Sequence, residues 1–257
     1  MPDMRFTRRL SAIFSTWNSQ PPDFPLQGSS KVSDTGQPDL LYPDSKIEIR
    51  GFLARHYDFL LDVVTLGWYR TFIKEAIAWM DIQPGDRIVD LGAGTGRNAC
   101  LMARYLSGEG KILGVDIGED MALQFRKRCR GMANVAFRRQ RIDVPFNPGE
   151  TFDRAVLSFV LHGFPHPVRE TIVENCFNML DPGGWLILLD YNEFALGDLP
   201  WYLRVPFRVT ECPYAFDFIQ RDMAGFLKGR GFEVERSRLF LKGMIRCLVA
   251  VKGGRHP

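Results

Sequence analysis

The distribution of apolar positions divides the chain into three parts. Before residue 46, six prolines (Pro2, Pro21, Pro22, Pro25, Pro38 and Pro43) stand among Ser, Gln, Gly and Asp without sustained periodicity, the pattern of a flexible arm over residues 1–45. Within it Phe6, Leu10, Ile13, Phe14 and Trp17 recur at helical spacing beside Arg5, Arg8 and Arg9, which predicts one short basic amphipathic helix. From Ile47 to Met80, Phe52, Leu53, Tyr57, Leu60, Leu61, Val64, Phe72, Ile73 and Ile77 follow the helix period with Gly67 as a break, predicting two helices. After Pro84, Gly85 and Asp86 the pattern changes to short apolar runs alternating with longer amphipathic stretches. That alternation predicts seven strands, at Arg87–Leu91, Lys111–Val115, Val135–Arg138, Phe152–Ser158, Trp185–Tyr191, Glu233–Phe240 and Met244–Val251. Only Leu241, Lys242 and Gly243 join the last two, too few for a crossover helix, so they form an antiparallel hairpin. The fold class is therefore α/β, a doubly wound seven-stranded sheet, mostly parallel with an antiparallel edge strand, in one domain over residues 46–257.

Composition narrows the partners. No run of about 18 apolar residues occurs, so no spanning helix is expected. A formal charge of +3 is too small to argue for nucleic acid, and none is expected as a partner. The basic run Arg126, Lys127, Arg128, Arg130, Arg138, Arg139 and Arg141 reads as a solvated face beside an edge strand, because Phe125 and Phe137 are spaced for burial rather than for stacking on bases. Five scattered cysteines without a C-x-x-C pair predict no disulfide framework and no zinc site, and point to a reducing cytoplasm. The basic arm adds the expectation of peripheral contact with a membrane surface.

The chemistry concentrates after the first strand, in Val89-Asp90-Leu91-Gly92-Ala93-Gly94-Thr95-Gly96-Arg97. Glycines there let the chain turn tightly into a helix and let a ligand lie against bare backbone near the helix N-terminus. The spacing is G-x-G-x-G rather than the dinucleotide G-x-G-x-x-G, which disfavours NAD and FAD. Twenty residues past Gly96, Asp116 ends the second strand, placed to accept hydrogen bonds from ribose hydroxyls. Met121 follows in the next helix, as a ligand-facing or a core methionine.

With V-D-L-G-A-G-T-G at 89–96, G-V-D at 114–116, F-D at 152–153 and D-P-G-G at 181–184 in order, the chain resembles the class I S-adenosylmethionine-dependent methyltransferases, a Rossmann-like family. R-H-Y-D-F-L-L-D at 55–62, then Gly67, Trp68 and Tyr69, and L-S-F-V at 157–160 are similar to the ubiquinone and menaquinone C-methyltransferase group. The resemblance implies strand order 3-2-1-4-5-7-6 and S-adenosylmethionine as the cofactor. It implies that Asp90 organises the loop and the methionine ammonium group, that Gly92, Ala93, Gly94 and Gly96 lie along the cofactor, and that Thr95 meets its amino-acid end. Asp116 would hold both ribose hydroxyls, with Ile117 beside it and Met121 against adenine. The family's small polar pair after the third strand is replaced here by Arg141 and Ile142. Ile142 then offers its backbone N–H to the ring, and Asp143 its carboxylate to the exocyclic amine. Ser158 falls where the quinone methyltransferases have a cofactor-contacting serine.

Methyl transfer needs alignment and exclusion of water more than protein chemistry, but the acceptor still loses a proton. His162, four residues past Ser158, is the best-placed candidate base, its other reading being a helix-start imidazole. Asp190, Tyr191 and Asn192 end the fifth strand on the same rim. Tyr57, Asp58 and Tyr69 read as packing before they read as a lid. Residues 193–218, rich in Phe, Trp, Tyr, Leu and Pro, are expected to cover the substrate, with Phe194, Leu199, Trp201, Tyr202, Val205, Phe207, Tyr214 and Phe216 as an apolar wall. No N-P-P-Y follows the fourth strand, no Pro-Cys nucleophile occurs there, and no acid follows it to complete a magnesium site, so base methylation loses ground and no metal is expected. The expected activity is methylation of a small or lipophilic acceptor such as a quinone precursor. N-methylation of a phospholipid or small amine is the second enzymatic reading. A non-catalytic cofactor-binding scaffold is the reading from another class.

Overall fold

The computed structural model describes residues 68–253. The N-terminal arm, its amphipathic helix and the first of the two leading helices, with Tyr57 and Asp58, lie outside the described residues. The strands are β1 Arg87–Leu91, β2 Lys111–Asp116, β3 Val135–Arg139, β4 Phe152–Ser158, β5 Leu180–Tyr191, β6 Phe232–Phe240 and β7 Ile245–Lys252. They form one sheet in the order β3-β2-β1-β4-β5-β7-β6, parallel throughout except for β7, which runs antiparallel between β5 and β6. The helices are α1 Trp68–Trp79, α2 Arg97–Met102, α3 Glu119–Arg128, α4 His166–Met179, α5 Trp201–Thr210, α6 Pro213–Phe218 and α7 Met223–Lys228.

The apolar runs are buried on both faces, as a parallel sheet between helices requires. Ile88, Ile112, Val156, Ile187 and Val249 face a core shared with Phe72, Ile73 and Ile77 of α1 and Phe125 of α3. Their neighbours Val89, Leu113, Leu157 and Leu188 face a second core with Ile172, Val173 and Cys176 of α4 and Leu227 of α7. Strand alternation thus sorts one sequence into two layers. Gly114 shows how close the layers come: a Cβ there would stand 2.5 Å from Phe125 Cε2 and 3.1 Å from Ala93 Cβ. Gly114→Ala is expected to destabilise the fold by about 1–3 kcal/mol through overpacking, read by urea unfolding, with Phe125→Leu restoring part of the loss.

Two features depart from expectation. β5 begins at Leu180 instead of Trp185, because Leu180 already pairs with Phe152 and the D-P-G-G segment is absorbed as an irregularity in the ladder. Cys100 on α2 and Cys129, just past α3, form a disulfide, overturning the expectation of none; the two helices lie on one face and bring the Cα atoms to 6.0 Å. Spacing along the chain could not show this, since 29 residues separate the pair. Cys176, Cys212 and Cys247 are buried free thiols.

β2 and β3 lie on one side of β1 and β4 on the other, so connections diverge at the β1/β4 boundary, the place where open parallel sheets bind ligands beyond the strand C-termini. The opposite end is structural. There Arg154, 5% exposed, pairs with Asp86 and stacks 4.2 Å from the Trp185 ring centroid, while Arg87 bridges Asp153 and Asp181. A shallow cavity of about 290 Å³ lined by Asp86, Arg154, Asp181 and Trp185 belongs to this end. No helix among the described residues is long and apolar enough to cross a membrane.

Candidate active site

β1 carries Asp90 inward and the chain then reverses over the neighbouring strand. The amides of Gly92 and Ala93 both donate to the Val115 carbonyl, at 2.8 and 3.0 Å, and Gly96 N–H closes the turn on Ala93 O at 3.0 Å. The three glycines are not equivalent. A Cβ on Gly92 would meet Val160 Cγ2 at 2.5 Å, and one on Gly96 would meet Phe125 at 2.7 Å, so both serve close packing. Gly94, at φ +52°, has no neighbouring atom within 4 Å of such a Cβ: its backbone is bare and open.

Asp116, at the tip of β2, ties this loop to the next. Its Oδ2 accepts from Gly94 N–H at 2.9 Å and its Oδ1 from Gly118 N–H at 2.8 Å. Burial pushes its carboxyl above the usual range, against the pull of the Gly118, Gly94 and Ile117 amides. Asp90 is 1% exposed, and its Oδ2 is buried with no hydrogen-bond partner. Burial, helped by the charge of Asp116, pushes it up to about 7. A buried carboxylate oxygen without a donor is costly in the isolated protein and suits a cationic group brought by a ligand.

The remaining residues singled out from sequence fall around this pair. Thr95 is buried, its hydroxyl accepting from Arg128 at 3.3 Å. Ile117 presents its carbonyl to Arg139 at 3.1 Å, and Met121 is buried in the first turn of α3, against Gly118. At the end of β3, Arg141 grips Asp143 through two hydrogen bonds of 3.0 and 2.7 Å. Ile142 between them is buried, its carbonyl held by Asn175 at 2.9 Å. Ser158 Oγ accepts from Asn98 Nδ2 at 3.0 Å, linking the tip of β4 to the first turn of α2. Asn98 had no signal in sequence, since this contact spans 60 residues.

Past Ser158 the chain bends at Phe159, whose φ of +56° is a strained backbone for a bulky residue, and enters the short turn Leu161–Gly163 that carries His162. His162 Nδ1 lies 2.7 Å from Asp190 Oδ1, and Asp190 also accepts the backbone N–H groups of Tyr191 and His162 at 2.8 and 3.3 Å. The other nitrogen, Nε2, faces Glu211 Oε2 at 3.8 Å, while Glu211 Oε1 accepts from Tyr191 Oη at 2.8 Å. Burial opposes charge on the imidazole, but Asp190 and Glu211 outweigh it and His162 titrates above its usual range, Arg169 acting weakly the other way. Glu211, just beyond α5, was not singled out from sequence. An acid in an aromatic-rich segment gives no sign of which distant histidine it will meet.

The segment 193–218 is only partly the wall expected. Phe207 is buried and packs on Tyr191, Phe216 and Phe194 at ring-centroid distances of 5.0, 5.4 and 5.6 Å. Trp201, Tyr202 and Val205, expected in the wall, are 71%, 47% and 51% exposed, because α5 is amphipathic and turns only its Leu203–Phe207 side inward. Arg169, fully buried, fixes the segment: it donates to Leu161 O, Tyr214 O and Asp217 at 3.0, 2.7 and 2.7 Å. Phe159, Tyr191 and Phe207 therefore stand together above the ends of β4 and β5, with Tyr69 and Phe72 reaching Phe159 from α1.

Known proteins share this sequence and this fold. Residues 88–184 match a family described as a methyltransferase domain. A 2-phytyl-1,4-naphtoquinone methyltransferase of Synechococcus elongatus is 26% identical over 203 residues, covering 74% of this chain and 86% of that protein. A ubiquinone/menaquinone biosynthesis C-methyltransferase, UbiE, of Hydrogenovibrio crunogenus is 27% identical over 171 residues, covering 64% of this chain and 66%, just under two thirds, of its own length. Among solved structures, magnesium protoporphyrin IX methyltransferase of Synechocystis PCC 6803 shares the fold at a TM-score of 0.54 and 19% identity, over 72% of this chain and 83% of that one. Residues 88–184 thus carry a methyltransferase domain, and the chain is similar in sequence to the ubiquinone and menaquinone C-methyltransferases and in fold to S-adenosylmethionine-dependent methyltransferases.

Proposed function

We propose that the acceptor is a lipophilic aromatic ring of the quinone-precursor kind, methylated at carbon in its reduced, electron-rich state. The observation that carries this reading is the group formed by Phe159 just past β4, Tyr191 at the end of β5 and Phe207 of α5, walled by Phe194 and Phe216. Aromatic side chains receive a flat apolar ring through offset and edge contacts. The names of the two relatives support the same class of acceptor.

S-adenosylmethionine, when bound, supplies a methyl group already activated on a sulfonium. The residues of this chain divide the remaining work. Asp90 would face the ammonium group with its unpartnered oxygen, and the open backbone at Gly94 would admit the cofactor along the Gly92–Gly96 turn. Thr95 would meet the amino-acid end. Asp116, already fixed by two amides, uses its remaining lone pairs on the ribose hydroxyls, with Ile117 beside it. Met121 and Ile142 would enclose adenine, the Arg141–Asp143 pair would border it, and Ser158, held by Asn98, would contact the cofactor. The aromatic group excludes water and sets the ring in line, which is where most of the acceleration of such a transfer arises.

The test offers the full-length protein methyl-labelled S-adenosylmethionine with demethylated naphthoquinols and benzoquinols, phosphatidylethanolamine vesicles, and small amines in parallel. The expected product is a quinol one methyl heavier, labelled on ring carbon by mass spectrometry and NMR. Transfer only to nitrogen of the lipid or amines would overturn the reading, and tight binding of S-adenosylhomocysteine with no product from any acceptor would favour a scaffold.

A further inference from the structure

We propose that Glu211 is the group that takes the proton released from the acceptor, and that His162 is its positioning partner, held in place by Asp190. The inference rests on the reading of an aromatic, hydroxyl-bearing acceptor given above.

The geometry assigns different tasks to three neighbouring groups. Asp190 is 1% exposed and accepts from the His162 ring and from two backbone amides, so its charge is spent on holding the imidazole. With Nδ1 fixed in this way, Nε2 must face Glu211. With Nδ1 on Asp190 and Nε2 toward Glu211, the imidazole has both ring nitrogens facing carboxylates and presents neither to an acceptor. Glu211 is less committed. Its Oε1 accepts from Tyr191 Oη at 2.8 Å, but its Oε2, 3.8 Å from Nε2, is beyond an ordinary hydrogen bond and keeps room for a second donor. Its side chain is 17% exposed, and it enters from the segment whose Phe207 packs on Tyr191. The charged and titratable groups facing His162 are Asp190 from β5, Glu211 after α5, Arg169 from α4, itself neutralised by Asp217, and Cys212, whose thiol lies 4.0 Å from the His162 carbonyl.

The balance of the step fits one carboxylate. The acceptor releases one proton for each methyl it gains: a π pair of the electron-rich ring forms the new carbon–methyl bond, the donor sulfur keeps the pair of the bond it loses, and the C–H bond at the methylated carbon then breaks, its pair restoring the aromatic ring as the proton leaves. The proton passes to Glu211 Oε2 and then to solvent. His162, held by Asp190, keeps its Nε2 toward Glu211 Oε2 and so fixes where that carboxylate stands.

The experiment combines kinetics with titration of the imidazole in the full chain. Glu211→Gln is expected to lower kcat by roughly 10²–10³-fold, to leave S-adenosylhomocysteine affinity within about twofold, and to remove the acidic limb of the pH–rate profile. Glu211→Asp, which keeps the charge balancing His162, should recover part of the rate and restore the limb. His162→Gln should lower kcat while leaving KM for the acceptor unchanged, since the carboxylate remains but is no longer oriented; a residue that only supports the fold would not separate the two. Independently of any acceptor, the His162 ring followed by NMR should titrate lower in Glu211→Gln than in wild type. Wild-type rate and limb in Glu211→Gln, equal losses in Glu211→Gln and Glu211→Asp, or an imidazole titration unmoved by Glu211→Gln would each overturn the proposal. Absence of quinol methylation by wild type would instead remove the acceptor reading, while the NMR titration still decides the pairing.

Discussion

Asp116→Ala is expected to weaken S-adenosylhomocysteine binding by about 3 kcal/mol or more, over a hundredfold, since each hydrogen bond to a charged group contributes roughly 1.5–3 kcal/mol. The effect exceeds that of one lost ligand contact because the same carboxylate fastens the Gly94 amide of the first loop and the Gly118 amide of the second. Alanine leaves both N–H groups without their acceptor, and the open backbone at Gly94 is no longer held against β2. Asp116→Asn should fall between: it offers one carbonyl oxygen, but its NH₂ turns a donor toward an amide that is itself a donor. Calorimetric titration gives the affinity, and thermal unfolding shows whether the loss comes from a folded protein. A folded Asp116→Ala protein with wild-type affinity would take the residue out of the site.

The sheet and the two loops at the tips of β1 and β2 were legible in sequence because their determinants are local. A run such as Ile88-Val89-Asp90-Leu91 followed by glycines fixes strand, turn and helix start within ten residues, and the seven strands lie within a few residues of where periodicity puts them, apart from the early start of β5. What periodicity cannot reach is a meeting between side chains far apart in the chain. His162 could be named as a candidate from its place after Ser158, but its two carboxylate partners lie 28 and 49 residues further on, in β5 and after α5. Asn98 on Ser158, Arg154 on Asp86 and Cys100 on Cys129 were hidden for the same reason. The aromatic richness of 193–218 was visible, yet which of its rings face inward depends on where α5 begins, and a start at Trp201 turns that ring and Tyr202 to solvent.

Three buried or half-buried acids, Asp90, Asp116 and Asp190, stand at the tips of β1, β2 and β5, and they differ in how they are satisfied. Asp190 and Asp116 are each held by several donors, among them the His162 ring on Asp190 and the Gly94 and Gly118 amides on Asp116, whereas Asp90 has an oxygen with none. The least satisfied acid sits beneath the loop that is open at Gly94. Such a site is more stable with a cationic ligand than without one, so stability given up by the free protein returns on binding.

That inequality makes binding dependent on pH in a defined direction. With Asp90 pushed up to about 7 in the free protein, its neutral form dominates below that value, and a ligand ammonium group requires the charged form. Affinity for S-adenosylhomocysteine should therefore rise with pH, roughly tenfold per unit below 7 and about 50-fold between pH 5 and 7, levelling off above. The stability of the free protein moves the other way: an acid raised on folding contributes fully below its unfolded value and loses that contribution as pH rises through 7. The thermal stabilisation by ligand should accordingly widen over the same interval. Calorimetry in buffers of different ionisation enthalpy should show close to one proton released per ligand bound at pH 5.5 and little at pH 8. Asp90→Asn, which cannot ionise, should bind weakly with a flat profile, whereas an unchanged pH dependence in this variant would assign the titration to Asp116 and leave the buried oxygen of Asp90 without a role in binding.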